Sequence, residues 1–385
     1  MTSTAATAEP ADARPGHSPG TPIDARTDFR PGVFATLTRM FGWGMLAVLG
    51  AYLINMILTT AAGWPGVAAL FDGEANARSA LQLALYVGGA ALAILWTSRH
   101  RDTPLRVDSE RVSAINTYLV RAAFFGVLFV GLGDTAVSFL RVEGLLEGVV
   151  GEEMTRELGR SRFRGLHFHV PLLALGFVVA AFTRTLGFVW LALLIVAAEL
   201  LIVITRFIFS YEQAFMGDLV RFWYAALFLF ASAYTLKEEG HVRVDVFYAG
   251  LGRRTKGVIN AIGSVFLGMA LCWTILIVGL GSRTSIIYAP IRSFETSQSG
   301  YGMYVKYLMA GFLGVFAVTM LIQFVSYLMG AVADIVREPG GDPDADPAAG
   351  DPAPGDPAAG DPAPALPSEG TPSAHATRHD APAVG

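Results

Sequence analysis

A short polar run at residues 238–245 carries the densest set of reactive groups in the middle of the chain, and it reads Glu-Glu-Gly-His-Val-Arg-Val-Asp. Gly240 permits a sharp turn where a helix ends. Arg243 can form a bidentate pair with a carboxylate such as Asp245, and His241 can change its charge near neutral pH. The run predicts a helix cap that locks the loop or a contact with a partner chain, and its place at the membrane edge disfavours direct substrate coordination. Its candidate residues are Glu239, Gly240, His241, Arg243 and Asp245.

Two acidic residues lie inside long apolar segments. Glu199 is at the centre of one of them and Asp134 lies in another. An ionised side chain at the centre of a bilayer costs about 2.5–3.5 kcal/mol on insertion scales, so Glu199 is expected to face protein and to be neutral or paired. Arg206 follows two helical turns later on the same face. These residues predict a polar stripe, with Asp134 as a candidate member, that either relays an ion or fixes helix packing by a buried hydrogen bond.

Residues for metal, haem or covalent catalysis are few. His167 and His169 form an H-x-H pair, but the first three predicted helices contain no histidine that could face them. Cys272 is the only cysteine, so neither an intrachain disulfide nor a cysteine metal cluster can form. The sequence has no G-x-S-x-G, H-E-x-x-H, Walker or G-x-G-x-x-G motif. We therefore predict no enzyme, no metal and no cofactor, and a cytochrome-like haem-binding membrane anchor stays as an alternative.

Membrane helices must position these residues. Hydrophobic residues make up 53% of the chain and charged residues 16%, against roughly a quarter charged in soluble domains. A helix needs about 20 residues to cross roughly 30 Å of hydrocarbon. The net charge is −4 and no basic block suggests nucleic acid. The predicted spans are about 41–61, 79–96, 117–140, 166–182, 187–208, 219–236, 258–281 and 307–333.

The fourth span is the weakest of these predictions. Because it is short and contains Pro171, it could instead be a re-entrant segment, which would leave seven spans. Lys and Arg accumulate in cytoplasmic loops, and the loops after the second and sixth helices are both rich in them. This distribution favours eight spans with both termini in the cytoplasm. Residues 141–165 would then lie outside despite five arginines, and we expect five glutamates there to neutralise them within a folded helix.

The chain divides into two termini and two membrane regions. Residues 1–31 predict a disordered N-terminal arm, and residues 338–385 predict a disordered tail with a repeated Gly-Asp-Pro-Ala motif. Between them, residues 32–184 predict an additional membrane region of about four helices. Residues 185–337 form the second membrane region, which contains the polar run at 238–245.

Several elements of the second membrane region resemble the small permease subunit of the tripartite ATP-independent periplasmic (TRAP) transporter family. The sequence 206–209, Arg-Phe-Ile-Phe, is similar to the end of that family's first helix. The run from Glu239 to Asp245 resembles the acid-Gly-His-hydrophobic-Arg-hydrophobic-Asp loop that follows its second helix. The family's Trp-x-acid-acid element has only Tyr211-Glu212-Gln213 as a counterpart, with Asp218 further on. The resemblance covers about 185–335.

The resemblance implies an all-α membrane protein whose last four helices form a four-helix small-permease core, in the bacterial inner membrane. It further implies that a periplasmic substrate-binding protein captures an organic acid, that a large permease subunit carries this substrate with sodium, and that the small subunit braces the large one. The candidate subunit-interface or structural polar residues are Arg206, Glu212, Glu239, Gly240, His241, Arg243 and Asp245.

A stand-alone secondary carrier built from two four-helix halves is the alternative within transport. Such a carrier should show internal symmetry. The loop at 98–104 reads Ser-Arg-His-Arg-Asp-Thr-Pro and has no counterpart of the 239–245 pattern. The identity of the substrate and the role of the first four helices stay open.

Overall fold

The computed structural model describes residues 32–73, 76–184, 188–237, 248, 250–296 and 302–339, and this part of the chain contains helices without any strand. Eight of its helices are long and apolar enough to cross a membrane, which confirms the predicted fold class. They are α1 (Val33–Thr60), α2 (Ala77–Arg99), α3 (Leu105–Val142), α4 (Ser161–Phe182), α5 (Phe188–Ile208), α6 (Ala214–Lys237), α7 (Arg253–Leu280) and α8 (Lys306–Ile335).

The shorter helices lie in the connections between these spans. A 3₁₀ turn at Ala68–Leu70 precedes α2, and Leu146–Val150 and Glu152–Leu158 lie between α3 and α4. Tyr288–Ser293 lies between α7 and α8. Both predicted terminal extensions fall outside the described residues, apart from Glu338 and Pro339.

The fourth predicted span is a continuous helix, which supports eight spans over seven. Its first part includes a π-helical turn at Gly165–His169, in which the Val170 N–H donates to the Gly165 carbonyl. Proline has no N–H and its ring crowds the preceding turn, so it normally ends or kinks a helix. The wider π turn lies directly before Pro171 and lets the helix continue to Phe182.

The loop between α3 and α4 is folded and internally paired, as its mixed charges predict. Arg160 lies 2.6 Å from Glu157, and Arg156 lies 3.5 Å from Glu152. Exposed pairs of this kind contribute little to stability. They show that Arg156 and Arg160 are paired with glutamates three or four residues away in the same loop.

Helices α3 and α8 form the centre of the bundle. In each of them, 44% of the residues in an apolar 18-residue stretch are buried. One apolar cluster joins α1, α7 and α8 to the first turns of α3, and a second joins α3, α5, α6 and α8. Each cluster therefore combines helices from 32–184 with helices from 185–337. In α2 and in α5, only 11% of the residues in the corresponding stretch are buried, so these two helices lie at the periphery.

Small residues allow the closest helix approaches. A Cβ on Gly176 of α4 would lie 2.5 Å from the backbone nitrogen of Gly126 in α3. On another face of α3, the indole of Trp223 from α6 covers Gly131 and donates to the Val127 carbonyl at 3.3 Å. Membrane helices gain most of their association from such close contacts, because lipid supplies no hydrophobic driving force between them. This packing fixes the rotation of α3 and so the direction in which its polar residues point.

Candidate functional site

A buried ion cluster joins α3 to α4. The side chains of Asp134, Arg164 and His169 are all fully buried. Arg164 Nε lies 2.5 Å from Asp134 Oδ1, and His169 Nε2 lies 2.7 Å from the same oxygen. Arg164 Nη2 also donates to the Asp134 carbonyl at 2.8 Å and to Ser138 Oγ at 2.9 Å. Burying these charges is tolerable because pairing and hydrogen bonds offset the loss of water.

The same cluster reaches the start of α8. The Tyr304 N–H donates to Asp134 Oδ2 at 3.0 Å, and the Tyr307 hydroxyl lies 2.8 Å from His169 Nδ1. The Arg164 guanidinium lies 4.8 Å from the centre of the Tyr304 ring. An imidazole that directs Nε2–H at Asp134 leaves Nδ1 to accept the Tyr307 proton. The cluster therefore ties α3 and α4 to the start of α8.

Asp218 in α6 makes a parallel contact with the same approach to α8. Its Oδ2 accepts the Met303 N–H at 3.1 Å, directly beside the Tyr304 N–H that Asp134 binds. Glu212, which the sequence singled out, is exposed. Near the start of α6, it is therefore Asp218 and not Glu212 that contacts the segment leading into α8.

The two histidines of the H-x-H pair have separate environments. His169 is buried in the cluster, whereas His167 is exposed and stacks on Phe163 with ring centres 4.5 Å apart. Among the described residues, no group of three or more His, Cys, Asp or Glu could hold a metal ion. A cation at Asp134 would also meet the Arg164 guanidinium, so this acid is better matched to its internal partners.

A second network of charges lies at the end of the bundle where α1 begins and α8 ends, which we call the terminal end. Arg39 Nε lies 2.6 Å from Asp108 Oδ2, and both side chains are fully buried. Arg39 also donates to the His100 carbonyl at 2.6 Å, and Trp43 Nε1 donates to Asp108 Oδ2 at 3.1 Å. These contacts join α1 to the end of α2 and the start of α3.

Helix α8 joins the terminal-end network through Asp334 and Glu338. Asp334 Oδ1 lies 2.6 Å from Arg106 and 2.9 Å from Arg253. The Glu338 carboxylate accepts the Leu105 N–H at 3.0 Å and the Arg106 N–H at 3.4 Å. It therefore caps the first turn of α3 from a site more than 200 residues away in the sequence. Burial raises the pKa of the Glu338 carboxyl, and the two backbone donors oppose this rise.

The Glu338 cap predicts a sharp difference between two truncations. A chain that ends after Glu338 keeps the cap and should unfold at nearly the same temperature in detergent as the full chain. A chain that ends after Arg337 leaves both N–H groups without their acceptor, and it should lose about 0.5–2 kcal/mol of stability, the usual value of an N-cap. Thermal unfolding followed by tryptophan fluorescence measures both. Equal losses in the two chains would show that the tail itself stabilises the fold.

A polar crevice of about 280 Å³ lies between α3, α6, α7 and α8 near the terminal end. Deeper in, Asn116 Nδ2 donates to Gln323 Oε1 at 3.0 Å. Ser113 Oγ and Asn116 Oδ1 are buried on the same helix without a hydrogen-bond partner in the described protein. The crevice is lined by Arg106, Ser109, Glu110, Ser113, Lys237, Asn260, Gln323, Ser326, Tyr327, Gly330, Ala331 and Asp334.

The predicted polar residues of α5 differ from Asp134 in their surroundings. Glu199 and Arg206 are both exposed, and within the described part of the chain Glu199 has no hydrogen-bond or ion-pair partner. The expectation that Glu199 faces protein is therefore not met within this chain. The contacts of Asp134 go to α4 and to the start of α8, so it forms no stripe with Glu199.

The chain between α6 and α7 contains the polar run at 238–245. Glu239, Gly240, His241, Arg243 and Asp245 lie outside the described residues. The helices on either side are described: α6 ends at Lys237 and α7 begins at Arg253. The predictions for these five residues stay predictions.

In a comparison with protein families, residues 193–330 match the family model described as "Tripartite ATP-independent periplasmic transporters, DctQ component". This part of the chain is similar to a DctQ component. Comparisons with curated proteins and with solved structures give no significant match. The matched residues begin inside α5 and end inside α8, so they include the polar loop at 238–245.

The residues that match DctQ, 193–330, which we call the DctQ region, include only some of the residues that make these polar contacts. Glu199, Arg206, Asp218, Tyr304 and Tyr307 lie inside it, whereas Asp134, Arg164 and His169 lie before it. The buried cluster thus pairs residues outside the DctQ region with residues inside it. The chain has eight helices that are long and apolar enough to cross a membrane, and residues 193–330 in its C-terminal part are similar to the TRAP DctQ component.

Proposed function

We propose that this chain is the small membrane subunit of a TRAP-type secondary transporter. In this proposal it braces a large permease subunit during sodium-coupled uptake of an organic acid, which a periplasmic substrate-binding protein delivers. The observation that carries the proposal is the DctQ match over residues 193–330. We assign the chain no catalytic role and no cofactor.

The buried charges support bracing over substrate transport by this chain. Asp134 and Asp108, the two fully buried acids inside or beside the described spans, are each paired with an arginine, and these pairs connect different helices. Such contacts hold helices in one arrangement. A carrier instead needs groups near the midplane that substrate and ion can reach from alternating sides.

The stand-alone carrier is favoured by one observation, the polar crevice. It opens near the terminal end and its wall continues along α3 towards Asn116. The crevice is lined by residues of α3 and of helices that match DctQ, all within this chain. The crevice therefore forms without a large subunit. This feature makes the carrier a second candidate that a transport assay can separate from the first.

The test is copurification followed by reconstitution. Gentle extraction of the tagged chain should bring with it a larger polytopic membrane protein. Proteoliposomes that contain both proteins, the binding protein and a sodium gradient should accumulate an organic acid, and those with this chain alone should not. Uptake by the lone chain would refute the bracing role and support the carrier.

We further propose that both termini, and hence the terminal end, lie in the cytoplasm of a bacterium whose inner membrane holds the protein. In a Cys272→Ser background, cysteines at Ser98 and Gly252 should be shielded from a membrane-impermeant thiol reagent in intact cells. Cysteines at Phe71 and Gly148 should react. Both sites are exposed, and neither has a positive φ angle that would strain a cysteine. Labelling of Gly252→Cys without permeabilisation would reverse the orientation.

A further inference from the structure

Helix α5 exposes a polar group at the centre of an apolar face. This polar group is Glu199. Val196, one turn before it, is 64% exposed, and Val203, one turn after it, is 49% exposed. Glu199 lies between them, is exposed and has no partner within the described chain. Helix α5 packs on α6 and is one of the two least buried spans of the bundle. The centre of α5 is therefore a surface whose polar group this chain does not satisfy.

Lipid is a poor occupant for this surface. Glu199 is close to the middle of Phe188–Ile208, too deep for a short glutamate side chain to reach the headgroups. Hydrocarbon offers neither water nor a hydrogen-bond donor, and ionisable residues inside a membrane almost always face protein or a water-filled cavity. Arg206 is different: it is two residues from the end of α5, and its long side chain can reach the interface.

A second copy of this chain is also a poor occupant. Two copies inserted in the same orientation pair by a two-fold axis along the membrane normal, so each residue meets its counterpart at the same depth. Glu199 would then face Glu199 and Arg206 would face Arg206. The two Arg206 side chains stay charged and repel each other, and ionised Glu199 side chains would do the same. The occupant should be a different chain with complementary groups at these depths.

We propose that the face of α5 formed by Val196, Glu199, Val203 and Arg206 is the docking surface for a membrane-spanning helix of a different protein. That helix presents a hydrogen-bond donor or a cation level with Glu199 and an acceptor near Arg206. The inference rests on the proposed function, in which the partner that supplies this helix is the large permease subunit. In addition, this face of α5 is the part of the small subunit that contacts the large subunit, and Glu199 is the side chain that selects the partner helix.

Site-specific photo-crosslinking tests the surface in the intact complex. A benzophenone amino acid replaces Val196, and in a matched chain it replaces Leu267, which is 75% exposed near the middle of α7. The Val196 probe should give an adduct of this chain with the larger protein, and the Leu267 probe should give at least tenfold less. An adduct of two copies of this chain, or equal yields from both probes, would overturn the proposal.

Copurification separates this inference from the function on which it rests. If the larger protein copurifies but the Val196 probe gives no adduct with it, the surface is wrong and the function stands. If no larger protein copurifies, the proposed function fails and the docking surface fails with it.

Substitutions of Glu199 test the chemistry of the contact. Glu199→Gln keeps hydrogen-bonding capacity and should retain most copurification. Glu199→Leu should reduce the recovered partner between about threefold and fifteenfold, the range of single hydrogen bonds between membrane helices. Leu267→Gln is the control for a changed lipid-facing residue and should have no effect on recovery. Equal recovery with Glu199→Leu and the unaltered chain would contradict a polar contact at this site.

Discussion

Asp134→Ala should lower the free energy of unfolding by about 3–5 kcal/mol, because it leaves Arg164 buried without its carboxylate partner. The same change removes the acceptor for the Tyr304 N–H and for His169. Both the α3–α4 contact and the approach to α8 would lose polar partners together. Thermal unfolding in detergent, combined with denaturant titration, measures the loss.

Three further variants make this result interpretable. Glu153→Ala removes an exposed acid from the loop between α3 and α4 and should change stability by less than about 0.5 kcal/mol. Arg164→Met alone should be as harmful as Asp134→Ala. The double variant Asp134→Leu, Arg164→Met removes both charges and should recover part of the loss, since a buried pair can be replaced by apolar groups at little cost. Strictly additive losses in the double variant would contradict direct coupling of the two residues.

Arg243→Ala should weaken copurification with the large subunit and organic-acid uptake together. If Arg243 pairs with a carboxylate in a partly desolvated interface, the unpaired partner costs roughly 2–5 kcal/mol. That corresponds to a loss of affinity of about thirtyfold or more. Binding of the tagged chain to the purified large subunit and uptake by proteoliposomes with both subunits are the two measurements.

Arg254→Ala provides the matched control for Arg243. Arg254 is an exposed arginine in the first turn of α7, a short distance along the chain from the same loop. Its removal changes the net charge of this segment equally but should leave both measurements unaltered. Loss of uptake with intact copurification in Arg243→Ala would place Arg243 in a transport step and not in subunit contact.

Much of the fold could be predicted from the sequence because spanning a bilayer is a local requirement. About 20 consecutive apolar residues make a span wherever they occur, and each of the eight predicted spans corresponds to a helix. The weak fourth span illustrates the limit of this reasoning. Pro171 suggested an interruption, and only the backbone geometry revealed the π turn that precedes it.

The candidate site could be predicted less completely, because partners of buried charges are distant in sequence. Asp134 was singled out as an acid inside a span, but nothing local indicated that Arg164 and Tyr304 would surround it. Asp108 and Glu338 gave no signal either, since each looks like an ordinary charge near the end of an apolar segment. Their roles depend on contacts with Arg39 and with the first turn of α3.

The sequence by itself determined that this is a multi-span α-helical membrane protein and that its C-terminal part resembles the TRAP small permease subunit. Both conclusions rest on properties that add up along the chain: hydropathy within a window, and the order and spacing of short motifs. The tertiary structure decided which acid is paired within the chain and which is exposed. Asp134 and Glu199 look alike in sequence, yet the packing of α3 turns Asp134 towards Arg164, whereas α5 lies at the edge of the bundle and leaves Glu199 uncovered. A helix's rotation and neighbours are set by contacts with distant residues, so no local pattern can specify them.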